Sequence, residues 1–324
     1  MTDEGNKSKI MPYTVTNTLA AVILTALVFM TAIYLSDDLG EFVRDALNLS
    51  ARIIIPSIFP FILLTDIIMP YVSFEGFSRL NRAFEKLFKI SAEAIPSLIC
   101  GMLCGFPIGA KMAEEYYRCG ILTNDERERL WVISSCASPA YVISAVGVTM
   151  RGSVRDGIIL YTSMVVSAVI CGIILKRKED KTSISRFIIR QKYSFVNSVK
   201  SASLVCINAA AFISTFGIVI GLIKMVIKNE VILGVASSLL ELGNASKILA
   251  DSVVIPPVLS LSLTSFAISF SGLSVIFQTL AIQNQESKIN TGLYVRRKLL
   301  QGVLSSLITY IIFSFTLLAD RIQP

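Results

Sequence analysis

Gly105-Phe106-Pro107-Ile108-Gly109-Ala110-Lys111 and Glu241-Leu242-Gly243-Asn244-Ala245-Ser246-Lys247 stand at similar places in the two halves of the chain. Each sets Gly, Pro, Asn or Ser inside an apolar stretch and closes with Lys. Unwound backbone at membrane depth survives only where protein or a wet cavity satisfies its N–H and C=O groups. Matched interruptions in two halves therefore point to a solute site, as in a secondary carrier.

Composition sets the class around these motifs. The 324 residues are 53% hydrophobic and 16% charged, with a mean hydropathy of +0.67, too apolar for a water-soluble globule of this size. The net charge of +7 sits in loops between apolar runs, where it orients a membrane protein, and argues against nucleic acid as a partner. No cleavage pattern follows the first apolar run, so residues 13–35 read as a true span. The six cysteines show no paired metal spacing and read as small packing residues, although Cys100 and Cys104 share a helix face and leave a metal or redox pair open. The chain has no His, which excludes His-ligated zinc and histidine triads. No Ser/Lys dyad stands on facing spans, so neither an enzyme nor a cofactor is expected.

Apolar runs long enough to cross a bilayer fall near 13–35, 53–73, 130–150, 157–175, 201–223, 253–282 and 299–319. Two further segments, 91–112 and 231–252, are apolar but broken, the first by Pro96, Gly101, Gly105, Pro107 and Gly109, the second by Gly234, Glu241, Gly243 and Asn244. The expectation is an all-α polytopic membrane protein with about seven transmembrane helices plus two re-entrant hairpins in an inverted repeat. With a cytoplasmic N-terminus, the acidic loop of Asp37, Asp38, Glu41 and Asp45 lies outside. Four basic groups then fall inside: Arg79 to Lys89, Lys111 to Arg129, Lys176 to Lys192, and Lys288 to Lys298. This holds only if both broken segments turn back. The division is 1–48, a peripheral span and acidic loop; 49–175, the first repeat; 176–196, a basic cytoplasmic linker; and 197–324, the second repeat, at an offset of roughly 140 residues and inverted because each unit crosses an odd number of times. The run 253–282 is long enough to hide a break near Gly272.

Candidate site residues follow from these breaks. Gly105, Pro107, Gly109, Gly243 and Asn244 form the broken tips. Ser134, Ser135 and Ser138 precede Pro139 in the third crossing, where small residues serve either close helix packing or an unwound site. Ser265 and Ser269 belong to a hydroxyl-rich span free of charge from 252 to 285, suited to a small polar solute. Asp66 and Glu241 are isolated acids at depth, candidates for a coupling proton or cation. Lys111 and Lys247 end the two motifs and either attract an anionic solute or snorkel to the interface. Pro56 and Pro60 kink their span.

At Ile55-Pro56-Ser57-Ile58-Phe59-Pro60-Phe61, Asp66, Gly105 to Lys111 and Ser134 to Pro139, with Glu241 and Gly243 in the second half, the chain resembles the YlbJ-type sporulation integral membrane proteins of the nucleoside-recognition (Gate) domain superfamily. The resemblance covers roughly 45–320, and Gly-Phe-Pro-Ile-Gly-Ala-Lys is its most specific part. The chain departs in having Ser134, Ser135 and Ala137 where the family has Asn, and an acid one methylene shorter at Asp66; it is also shorter than typical members. The resemblance implies a transporter of endospore-forming bacteria, placed in the mother-cell membrane around the forespore and moving dipicolinic acid, a small aromatic dicarboxylate. It leaves two alternatives: a nucleoside or other small-metabolite carrier, and a non-transporting sporulation membrane assembly protein.

Overall fold

The computed structural model describes residues 22–68 (without 23, 24, 28 and 32), 78–176, 194–283 and 288–322, and every element in them is helical. Much of the expected span 13–35, the end of 53–73, and the basic residues Arg177 to Lys192 lie outside the described residues.

The first described elements correct the expected acidic loop. Ser36–Leu49 is a helix, α1, which continues through a wide π-wound turn, Ser50–Ile54, into α2, Ile55–Ile68. Leu39, Phe42, Val43, Ala46 and Leu49 recur at helical spacing, and Asp37 and Asp38 in the first turn complement the positive end of the helix. The π turn lies where the ring of Pro56 meets the preceding turn, so widening there accommodates a residue that cannot continue the regular hydrogen-bond ladder. The result is one apolar run, Ser36–Ile67, long enough to span.

Helix α3, Ser78–Phe88, is followed by the first broken pair, α4, Ile95–Cys104, and α5, Ile108–Arg118. Between α4 and α5, Gly105 adopts φ +88, a left-handed conformation open to glycine. Helix α6, Asn124–Ser134, starts in a capping box between Thr123 and Glu126 and stops at a break that ends at Pro139; α7, Ala140–Met150, follows, π-wound. Helix α8, Val154–Ile174, closes the first half.

The second half runs as α9, Phe195–Val226; a broken pair, α10, Glu230–Leu240, and α11, Leu242–Asp251; another, α12, Pro257–Phe270, and α13, Gly272–Leu280; then α14, Thr291–Ile322. The break expected near Gly272 is present: Ser271 and Gly272 are both left-handed, with φ +75 and +67.

Among the described residues, five helices are long and apolar enough to cross a membrane: Ser36–Ile67, Val154–Ile174, Phe195–Val226, Pro257–Leu280 and Thr291–Thr316. A sixth arises if Ser78–Phe88 and Ala92–Cys104, bent by 97°, count as one. The expected span 130–150 fails because Ser135 to Pro139 divide it and because α6 carries Asp125, Glu126, Arg127, Glu128 and Arg129. Two of those cations are not free loop charges. Arg127 is buried against Glu114 at 3.1 Å and lies 3.9 Å from the centre of the Tyr117 ring, while Arg129 donates to Asp125 and to the carbonyls of Phe88 and Lys89. Lys298, expected in a basic loop, is buried within α14.

The core forms where α12 packs on α14, α14 on α8, and α8 on α7. Glycines permit the closest crossings. Gly221 of α9 lies against the ring of Phe42 in α1, and a Cβ on Gly101 would collide with the carbonyl of Ser134.

Candidate functional site

In each half, the tip of one broken pair lies against the break of the next. A Cβ on Gly105 would sit 2.9 Å from the Ser138 nitrogen, and one on Gly109 would sit 2.5 Å from the Ser134 carbonyl oxygen. In the second half, a Cβ on Gly272 would sit 3.0 Å from the Leu240 carbonyl and 3.1 Å from the Glu241 backbone. Glycine at these three positions lets the backbones of two segments touch.

The tips open onto one cavity of about 460 Å³, its mouth included. Gly105 and Phe106 line it from the first tip, Ala137 and Ser138 from the break before α7, and Glu241 and Leu242 from the second tip. Tyr141, Val275, Gln278 and apolar residues of α2 and α9 complete the wall. Three half-helices, α5, α7 and α11, thus begin at the cavity, and a helix start carries partial positive charge.

Among the described residues Glu241 is the one charged residue lining the cavity, and its carboxylate is committed. Oε1 accepts from the Gly243 N–H at 2.7 Å; Oε2 accepts from the Asn244 N–H at 2.6 Å and from Asn244 Nδ2 at 2.9 Å. It caps α11, as an acid at a helix start should. The first tip differs, since no side chain caps α5. Ser138 accepts from the Tyr141 N–H through Oγ at 3.2 Å, holding the start of α7.

Other sequence candidates lie elsewhere. Lys111 and Asp66 form an ion pair at 3.1 Å, and Lys111 also donates to Ser201 Oγ at 2.7 Å, away from the cavity wall. Lys247 is exposed on α11, so the two motif lysines do not occupy equivalent surroundings. Pro107 stands at the cap position of α5, and Gly109 and Ser134 pack together behind the wall. Gly243 lies beneath the Glu241 carboxylate. Ser265 bonds Ser305 and Thr309 of α14, both at 2.7 Å, and neither Ser265 nor Ser269 lines the cavity.

The sequence reading missed a buried polar face on α14. Tyr294, Lys298, Gln301, Ser305 and Thr309 are all buried, and their spacing of four, three, four and four places them on one side of the helix. That period was readable in the sequence. Lys298 Nζ donates to the Ser135 carbonyl and to Gln301 Oε1, both at 2.8 Å, and the Tyr294 hydroxyl donates to Ser135 Oγ at 3.3 Å. Ser135 is thereby tied to α14 rather than turned to the cavity.

No protein-family model matches the chain, and no solved structure matches it. The chain is 25% identical over 167 residues to the sporulation integral membrane protein YlbJ of Bacillus subtilis (strain 168). The match covers 49% of this chain and 41% of that protein, so it spans less than half the relative's length. Together with the five apolar helices, this similarity supports a multi-pass membrane protein.

Proposed function

We propose that the chain is a carrier, not an enzyme, that moves a small anionic metabolite across the membrane by alternating access. The observation that carries this reading is the meeting of two broken tips and a third break at one cavity within a bundle of apolar helices. Unwound backbone is stable there only because facing segments and the cavity satisfy it. The like order of helix and broken pair in the two halves supports an inverted repeat, in which one half rocks against the other around the site.

Helix starts at the cavity favour an anion, and Glu241 does not oppose one as strongly as a free carboxylate would, because three N–H groups already offset its charge. The relative's role in sporulation makes dipicolinic acid the first solute to test, with the mother-cell membrane around the forespore as the place and a cytoplasmic N-terminus as the orientation. A coupling proton or cation would act through Glu241, the cavity's acid. A second reading, a nucleoside or other neutral metabolite, is favoured by the largely apolar wall of Ile54, Ile58, Phe106, Ile213 and Val275. A non-transporting assembly protein would need no such cavity.

Uptake of labelled dipicolinate and of a labelled nucleoside into proteoliposomes separates these. Saturable dipicolinate uptake that Glu241→Gln loses and Lys247→Gln keeps is the expected result. Uptake of the nucleoside alone selects the second reading; uptake of neither, in sealed and correctly reconstituted vesicles, removes the carrier reading for both.

A further inference from the structure

Lys298 is 0% exposed, and its ammonium meets only neutral acceptors, the Ser135 carbonyl and Gln301 Oε1. Among the described residues no carboxylate pairs with it. A buried ammonium without a counter-charge is costly, and in membrane proteins such groups mark solute or ion pathways. An unmet hydrogen-bonding group stands beside it: Gln301, whose Oε1 accepts from the ammonium, has its Nε2 buried with no hydrogen-bond partner among the described residues. The backbone it holds runs directly into the cavity, since Ala137 and Ser138 line the wall two and three residues beyond Ser135. One cation beside an unpaired amide N–H, with no acid on either among the described residues, is what a carboxylate would complete.

We propose that Lys298 and Gln301 form the carboxylate-recognition pair for the transported anion, covered in this conformation by the break from Ser135 to Pro139. When the break moves, the solute carboxylate replaces the Ser135 carbonyl on the ammonium and takes the free Gln301 amide N–H. This rests on the carrier reading and adds to it the charge that the cavity wall lacks.

The test is dipicolinate uptake into proteoliposomes by the full chain and by Lys298→Gln, Lys298→Arg and Gln301→Glu. Alkylation of Cys136, buried inside the break, is read by mass spectrometry with and without dipicolinate. Lys298→Gln is expected to raise KM by roughly tenfold or more, with Lys298→Arg recovering part of the loss. Gln301→Glu gives the ammonium an internal carboxylate, so it should fold at least as well as the parent and still raise KM roughly tenfold. Dipicolinate should change the Cys136 alkylation rate several-fold in the parent and in neither Lys298→Gln nor Gln301→Glu. Unchanged KM in Gln301→Glu, or a lower maximal rate at constant KM in Lys298→Gln, overturns the pair in favour of a packing role while leaving the carrier intact. Absence of dipicolinate uptake by the parent overturns the carrier of this anion and the recognition pair together.

Discussion

Lys111 and Asp66, 45 residues apart in sequence, form a single ion pair at 3.1 Å, with side chains 37% and 23% exposed. Their charges answer each other and tie α5 to α2, so neither stands as an unpaired charge in the bundle. Asp66→Asn and Lys111→Gln should each cost roughly 1 kcal/mol, given partial exposure. The double variant should cost little more than either, because both singles remove one interaction. Thermal unfolding in detergent, run as a double-mutant cycle, checks this; additive losses would show that the two residues act separately.

Gly109 and Gly243 differ in what surrounds them. At Gly109 a methyl would meet backbone, the Ser134 carbonyl oxygen at 2.5 Å, whereas at Gly243 it would meet the Leu49 Cδ2 and the Glu241 carboxylate at 3.1 and 3.2 Å. Gly109→Ala should therefore destabilise by about 1–3 kcal/mol, and Gly243→Ala by less, because side-chain ends yield more easily than backbone. Val at either site should insert normally yet abolish uptake. Melting temperatures of the two Ala variants decide the ranking, and uptake by both Val variants would remove the broken-tip argument.

Glu241→Ala removes a cap that binds three N–H groups, and should cost about 1–2 kcal/mol. Hydrogen exchange should accelerate at Gly243 and Asn244 before it does in α12. Exchange rates equal to the parent's would mean that the start of α11 is held by packing instead.

Arg127 and Glu114 form a fully buried pair, and the guanidinium also meets Asn124 Oδ1 and the Tyr117 ring. Arg127→Met alone should cost about 3–5 kcal/mol by taking the guanidinium away from a buried carboxylate. Adding Glu114→Leu should recover most of that loss. Yield and melting temperature of the purified variants measure it, and a single variant as stable as the parent would contradict the burial.

The sequence by itself determined the class, the helical content, and where the chain breaks. Length of apolar runs and the placement of Gly, Pro and Ser are local properties, so the breaks at Gly105, Glu241 and Gly272 were legible, whereas Ser134 to Pro139 read equally as close helix packing or as unwound chain within a span. Span number was less legible. Hydropathy could not tell that α1 would continue into α2, or that the charges of α6 would find partners inside the protein.

Tertiary structure alone decided which residues meet. Whether a lysine snorkels, pairs or lies buried depends on what another helix presents to it. Lys247 therefore faces outward, Lys111 meets Asp66, and Lys298, which sequence placed in a loop, is held by the Ser135 carbonyl. The cavity is of the same kind: its wall joins residues from Ile54 to Gln278, and no local pattern encodes that convergence. Charge and hydrogen-bonding capacity are written residue by residue, but the groups that satisfy them are chosen by packing.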